Sequence, residues 1–143
     1  MISSQLVADQ PAVRYKILMY HAGDGHWLYP AVLHLKTYID VVCPEIRDQL
    51  DWLLPIQITM SDDELVAYIN ECQPDVLCTS HYIWNHDGLI NQLNNIKSKI
   101  NKDIKIISGG PSINVNLDTD FFKKYPAIDF AVYGPGEQAF ADI

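Results

Sequence analysis

Short apolar runs alternate along the chain with longer stretches in which apolar residues recur every three or four positions, the pattern of strands followed by amphipathic helices. Lys16 to Tyr20 (KILMY) is the first such run. It ends in His21-Ala22-Gly23-Asp24-Gly25, which predicts a buried strand and a turn. A helix is expected over Pro30 to Val42. Pro44 and the charged Glu45-Ile46-Arg47-Asp48 interrupt it, and Leu54 to Ile58 (LPIQI) reads as the second strand. Pro55 places that strand at a sheet edge, because proline lacks the N–H that an inner strand donates. Ser61-Asp62-Asp63-Glu64 has the form of a capping box and opens a helix with Leu65, Ile69 and Cys72 on one face.

Asp75 to Thr79 (DVLCT) is the third strand. The helix after it has the clearest period in the chain, with Leu89, Leu93, Ile96 and Ile100 spaced four, three and four. Ile104 to Ser108 is a fourth strand, closed by Gly109-Gly110-Pro111. A short helix over Thr119 to Lys124 leads to a fifth strand, Ile128 to Tyr133, and Gly134-Pro135-Gly136-Glu137 begins a final helix. That helix stops at Ile143 after barely two turns, which is expected of a domain excised from a longer chain.

Strands and helices in this alternation imply right-handed crossovers and a doubly wound α/β fold. The expected form is flavodoxin-like (Rossmann-like), a five-stranded parallel sheet in the order 2-1-3-4-5. Ligands of such sheets bind beyond the carboxyl ends of the strands, where the strand order reverses. The loops after strands one, three, four and five are therefore where chemistry is to be sought.

A length of 143 residues suits one domain with one core. The composition, 48% hydrophobic and 20% charged, contains no apolar run long enough to span a bilayer, so no membrane association is expected. The polar start, Met1 to Tyr15, carries Asp9, Gln10 and Pro11 where a secretory signal needs an apolar stretch, and reads as a flexible, cytoplasmic lead-in. A net charge of −8 with ten scattered Lys and Arg argues against a nucleic-acid partner. An anionic ligand would have to be held by oriented backbone N–H groups. Cys43, Cys72 and Cys78 have neither zinc-site nor disulfide-framework spacing, and are expected as reduced, mostly buried thiols.

The loop after strand three, Ser80-His81-Tyr82-Ile83-Trp84-Asn85-His86, carries two hydroxyls, two imidazoles, an amide and an indole. Ser80 can bond a phosphate or amide, and Tyr82 and Trp84 offer flat surface to a ring system. The plainer alternatives are that Trp84 packs under the next helix and that Asn85 or Asp87 caps it. Gly109-Gly110 removes two side chains where backbone would approach a ligand, or is an ordinary turn. Gly134-Pro135-Gly136-Glu137 either presents N–H groups at the binding edge or merely starts a helix. Gly23 and Asp24-Gly25-His26 offer a carboxylate beside an imidazole, an arrangement that can support metal ligation, although a polar surface loop explains it as well.

Taken together, Ser80-His81-Tyr82-Ile83-Trp84-Asn85, Ile107-Ser108-Gly109-Gly110-Pro111, Tyr125-Pro126-Ala127-Ile128-Asp129 and Gly134-Pro135-Gly136-Glu137 resemble, in order and spacing, the N-terminal cobalamin-binding domain of cobalamin-dependent radical S-adenosylmethionine enzymes. The resemblance covers Lys16 to Ile143. It implies a corrinoid ligand whose nucleotide tail is bordered by Ser80, Tyr82, Gly109 and Gly110. It also implies that Gly134, Gly136 and Glu137 lie towards the corrin and a radical S-adenosylmethionine domain of the parent chain.

Two departures qualify the resemblance. In the Asp-x-His-x-x-Gly motif that delivers histidine to cobalt, Asp24 and His26 match but Tyr29 stands in the place of the glycine. His26 is thus the one candidate cobalt ligand, with Tyr29 or Trp27 as the alternative cover for that face. No Cys-x-x-x-Cys-x-x-Cys occurs, so an iron–sulfur cluster and S-adenosylmethionine belong to a missing domain, and the chain alone is not expected to catalyse. A receiver domain is disfavoured by Tyr20-His21, Thr79-Ser80 and Tyr133 where it needs acids and a lysine. A flavodoxin is disfavoured by the lack of hydroxyls after strand one. A cofactor-free interaction domain and another nucleotide-type ligand remain the competing readings.

Overall fold

The computed structural model describes residues 13–25, 31–114 and 120–143. Among them β1 (Tyr15–Tyr20), β2 (Leu50–Trp52), β3 (Val76–Ser80), β4 (Lys105–Gly109) and β5 (Phe130–Ala131) form one sheet in the order β2-β1-β3-β4-β5. Every pairing is parallel. The expected flavodoxin-like topology is the observed one. Helices α1 (Ala31–Val42), α2 (Pro44–Arg47), α3 (Asp62–Cys72), α4 (His86–Lys97), α5 (Phe121–Lys124) and α6 (Glu137–Asp142) complete the described elements.

Strand alternation divides the core between the two faces. Leu18, Tyr20, Leu77 and Ile106 point to one side and pack under α3 and α4 through Leu65, Ile69, Leu89, Leu93 and Ile96. Ile17, Met19, Cys78 and Ile107 point to the other, beneath Val32 and Leu35 of α1 and Ala139 and Phe140 of α6. Ile100 lies past the end of α4 but still packs against the first cluster.

The second strand differs from expectation. It is Leu50–Trp52, in register with Tyr15, Lys16 and Ile17 of β1, and not Leu54 to Ile58. Pro55 has no N–H to give, so the later segment keeps only an isolated bridge from Ile56 to Tyr20 and another from Ile58 to Asp24, and Leu54 is 81% exposed. The fifth strand is two residues long instead of six, although Asp129 and Val132 continue its bonding by donating to Ile106 and Ser108. Pro44, expected only as a breaker, occupies the first turn of α2, where its missing N–H is harmless. The expected helix starts at Pro30 and Thr119, and the lead-in through Ala12, lie outside the described residues.

The capping box is present: Ser61 Oγ accepts from Glu64 N at 3.3 Å and Ser61 N donates to Glu64 Oε2 at 2.8 Å. Replacing Ser61 by Ala is expected to lower stability by about 1 kcal/mol in urea unfolding, with no effect on ligand binding. At the amino edge of the sheet, the Asp75 carboxylate accepts from Lys16 N at 2.7 Å and pairs with Lys102. Asp129 repeats the device, accepting from Ile106 N at 2.9 Å and from Lys97 at 2.8 Å. These clamps fix the strand starts at the amino edge.

Candidate functional site

At the carboxyl edge the loops border two separate cavities, one on each side of the sheet. The first, about 290 Å³, lies between the sheet and helices α1 and α6. Its floor is a straight row of side chains across three strands, Met19, Cys78 and Ile107, which are register partners, with Val132 beyond them. All four are buried. Burial pushes the Cys78 thiol up to about 12, so it is a neutral, weakly polar part of this wall. Leu35 and Phe140 close the sides, and Ser80, Tyr82, Gly109, Gly110, Gly134, Gly136 and Glu137 line the same cavity.

The second is a broader groove of about 850 Å³ on the opposite face, against α4 and the start of α3. Gly23, Asp24, Trp84 and Asn85 line it, together with Gln92 and Asn95. The sequence-predicted residues are therefore not one constellation. Seven line the cleft and four line the groove. Tyr82 and Trp84 stack on each other, ring centroids 4.7 Å apart and planes at 12°, one facing each cavity, so the pair is the ridge between them. Trp84 is 64% exposed and does not pack under a helix.

Asn85 holds the first-cap position of α4, yet its side chain makes no cap hydrogen bond. Its Oδ1 accepts from Tyr82 N at 2.8 Å, while Nδ2 donates to Ser80 O and Ala22 O, tying the loop after β3 to the loop after β1. Pro111 is exposed and lines neither cavity, and His26, with Trp27 and Tyr29, lies outside the described residues. Among the described residues no three His, Cys, Asp or Glu side chains gather at metal-binding distance.

His81 is likewise not exposed to a ligand; it is fully buried. Its Nε2 lies 2.9 Å from Thr79 Oγ1 and 3.2 Å from Ser108 Oγ, the two hydroxyls are 2.7 Å apart, and its Nδ1 faces His86 Nδ1 at 3.1 Å. One imidazole must donate and the other accept across that last contact. Burial, reinforced by the neighbouring His86, lowers the His81 pKa to about 3, so it is neutral in the fold. The main chain of His81 also binds the glycine loop: His81 N donates to Gly109 O and Ser112 N donates to His81 O.

Gly110 has φ +102°, and a Cβ there would sit 2.5 Å from His81 O and 2.8 Å from His81 N. The glycine is required by this backbone-to-backbone approach, a cause different from the ligand approach expected from the sequence. At Gly109 a Cβ would meet only Val132, at 3.7 Å, and would project into the cleft. Thr79, Ser108 and His86 were not legible as a network, although polar residues at the same register position of two adjacent buried strands are the signal that could have found it.

Residues 37–143 match the family model of the B12 binding domain. The chain is 29% identical over 109 residues to the 2-(S-pantetheinyl)-carbapenam-3-carboxylate methyltransferase of Streptantibioticus cattleyicolor. It is 31% identical over 109 residues to the cobalamin-dependent radical SAM methyltransferase TokK of Streptomyces tokunonensis. Each alignment covers 76% of this chain but 15% of the relative, so the chain spans a small part of the enzymes it matches. The cobalamin-dependent S-adenosylmethionine radical enzyme OxsB superposes with a TM-score of 0.62 at 16% identity, over 90% of this chain and 18% of that one, which extends the likeness to the fold. With a family match over most of its length and a parallel sheet whose carboxyl edge is open on both sides, the chain belongs to the B12-binding domain family, similar to the cobalamin domain of radical S-adenosylmethionine methyltransferases.

Proposed function

We propose that this domain holds cobalamin with its nucleotide tail in the cleft between the sheet and helices α1 and α6. The observation that carries the reading is the cleft itself: about 290 Å³ at the reversal of strand order, apolar at the floor and open above. Its size lies at the lower end of the roughly 300–1,000 Å³ typical of ligand pockets. That suits one heterocycle with its sugar and not a whole corrin. The floor residues Met19, Cys78, Ile107 and Val132 would enclose the base, the Ser80 hydroxyl would bond its ring nitrogen, and Gly109 would leave the space a side chain would fill. Gly134, Gly136 and Glu137 would face the corrin side.

In the parent enzyme, bound cobalamin would supply a methyl carrier. The iron–sulfur cluster and S-adenosylmethionine would be held by a radical domain elsewhere in that protein, acting on a substrate outside this chain. Three free thiols support a reducing, cytoplasmic setting. No described helix is long and apolar enough to cross a membrane.

The test is to mix the purified chain with hydroxocobalamin, remove free ligand by gel filtration and record the visible spectrum of the protein fraction. Near-stoichiometric corrinoid is expected. Gly109→Ala should fold normally and weaken retention roughly tenfold, because an added methyl overpacks the cleft. With Tyr29 in place of the motif glycine, His26→Ala should leave the spectrum unchanged. Folded protein that elutes free of corrinoid would favour the cofactor-free interaction domain instead.

A further inference from the structure

We infer that the cleft selects corrinoids by the polarity of their lower base, taking a benzimidazole-type base in preference to a purine. This rests on the tail-in-cleft reading. The floor row Met19, Cys78 and Ile107 has no charged or amide side chain, and Val132 extends it apolar. The backbone beneath is closed to a ligand as well, since those strands spend their N–H and C=O groups on the parallel ladders of β1, β3 and β4.

Thr79 borders the cleft too, but its hydroxyl is turned to the opposite face of the sheet, where it is engaged by His81 and Ser108. Ser80, one residue on, returns to the cleft side at the rim, beside Gly109. The imidazole of His34 and the carboxyl of Glu137 stand on α1 and α6, and Tyr82 follows the end of β3, so none of the three lies on the floor, where the Cys78 thiol is only weakly polar.

The Ser80 hydroxyl at the rim of an apolar floor matches dimethylbenzimidazole, which has one free ring nitrogen and otherwise apolar edges. An adenine in its place would bring two further ring nitrogens and an amino group against floor side chains, Met19, Cys78, Ile107 and Val132, that offer them no strong hydrogen bond. Each polar group stranded in this way weakens binding roughly ten- to hundredfold.

The experiment is equilibrium dialysis of the chain against cobalamin, its adenine-based analogue and cobinamide, which lacks the nucleotide tail. Cobalamin is expected to bind at least about tenfold tighter than the adenine analogue, with cobinamide weaker than cobalamin. Placing a hydroxyl on the floor by Cys78→Ser should narrow the gap between the two bases, and Val132→Thr supplies the same chemistry should the first variant fail to fold. Equal affinity for the two complete corrinoids, both above cobinamide, overturns the selectivity and leaves the tail-in-cleft reading standing. Cobinamide binding as tightly as cobalamin, or no binding of any of the three, overturns both.

Discussion

Gly110→Ala is expected to destabilise the domain by at least about 3 kcal/mol, the combined effect of a strained backbone and a steric clash. The residue sits at φ +102°, a conformation that a side chain rarely tolerates. Its missing Cβ is replaced by the main chain of His81, at 2.5 Å from the oxygen and 2.8 Å from the nitrogen. Those atoms cannot withdraw, because His81 N is bonded to Gly109 O at 2.8 Å and His81 O accepts from Ser112 N at 3.1 Å. Relief would require breaking the link between the loops after β3 and β4. Domains of this size are stable by only about 5–15 kcal/mol, so the change is a large fraction of the whole. Urea unfolding of the variant beside Gly109→Ala checks it. The neighbour should keep its stability, since its Cβ meets Val132 at ordinary distance. A Gly110→Ala midpoint indistinguishable from that of the parent chain would sink the argument.

The contrast between adjacent glycines shows what a sequence can and cannot disclose. Strand–helix alternation made the topology readable, and the four-three-four spacing of Leu89, Leu93, Ile96 and Ile100 identified α4 and its buried face. The second strand was misread because LPIQI is the more apolar segment, whereas pairing with Tyr15, Lys16 and Ile17 selects the shorter Leu-Asp-Trp. Tertiary hydrogen bonding decided against local hydrophobicity there. In the candidate site, the loops that border the two cavities were legible because a doubly wound parallel sheet brings the connections after its strands to one edge.

What the loops hid was sidedness. Tyr82 and Trp84, two residues apart and both aromatic, fall in different cavities because the loop turns between them and Asn85 fixes that turn. The apolar floor was hidden for the opposite reason: Met19, Cys78 and Ile107 look like any strand interior until their register aligns them under a cavity. Period-two alternation, applied to Cys78-Thr79-Ser80, already separates the two residues that face the cleft from the one that faces the histidines.

Acid should weaken the domain well before its carboxylates titrate, and His81 is the reason. In the unfolded chain this imidazole takes up a proton near its ordinary pKa of 6.5; in the fold, burial and the adjacent His86 lower that value to about 3. Between those limits the unfolded state binds the extra proton and the folded state does not, so stability rises with pH. The contribution is complete above pH 6.5 and is lost as pH falls towards 3, at up to about 1.4 kcal/mol per pH unit, or about 2 kcal/mol by pH 5. His21, lowered by burial, acts in the same direction. For Asp75 and Asp129 burial alone would raise the pKa, but bonding to Lys102 and Lys97 and to backbone amides more than offsets it. Their contributions are therefore lost only at lower pH, through and below the ordinary carboxylate range. Urea midpoints followed from pH 7.5 to 4.5 should fall for the parent chain. They should fall less steeply for His81→Gln, which lacks the titrating ring but starts less stable because Thr79 and Ser108, though still bonded to each other, lose the imidazole contact. A flat parent profile over that range, or an unchanged slope in the variant, would remove His81 from the account. Because His81 joins the loops that form two walls of the cleft, corrinoid retention should decline in the same window, ahead of global unfolding.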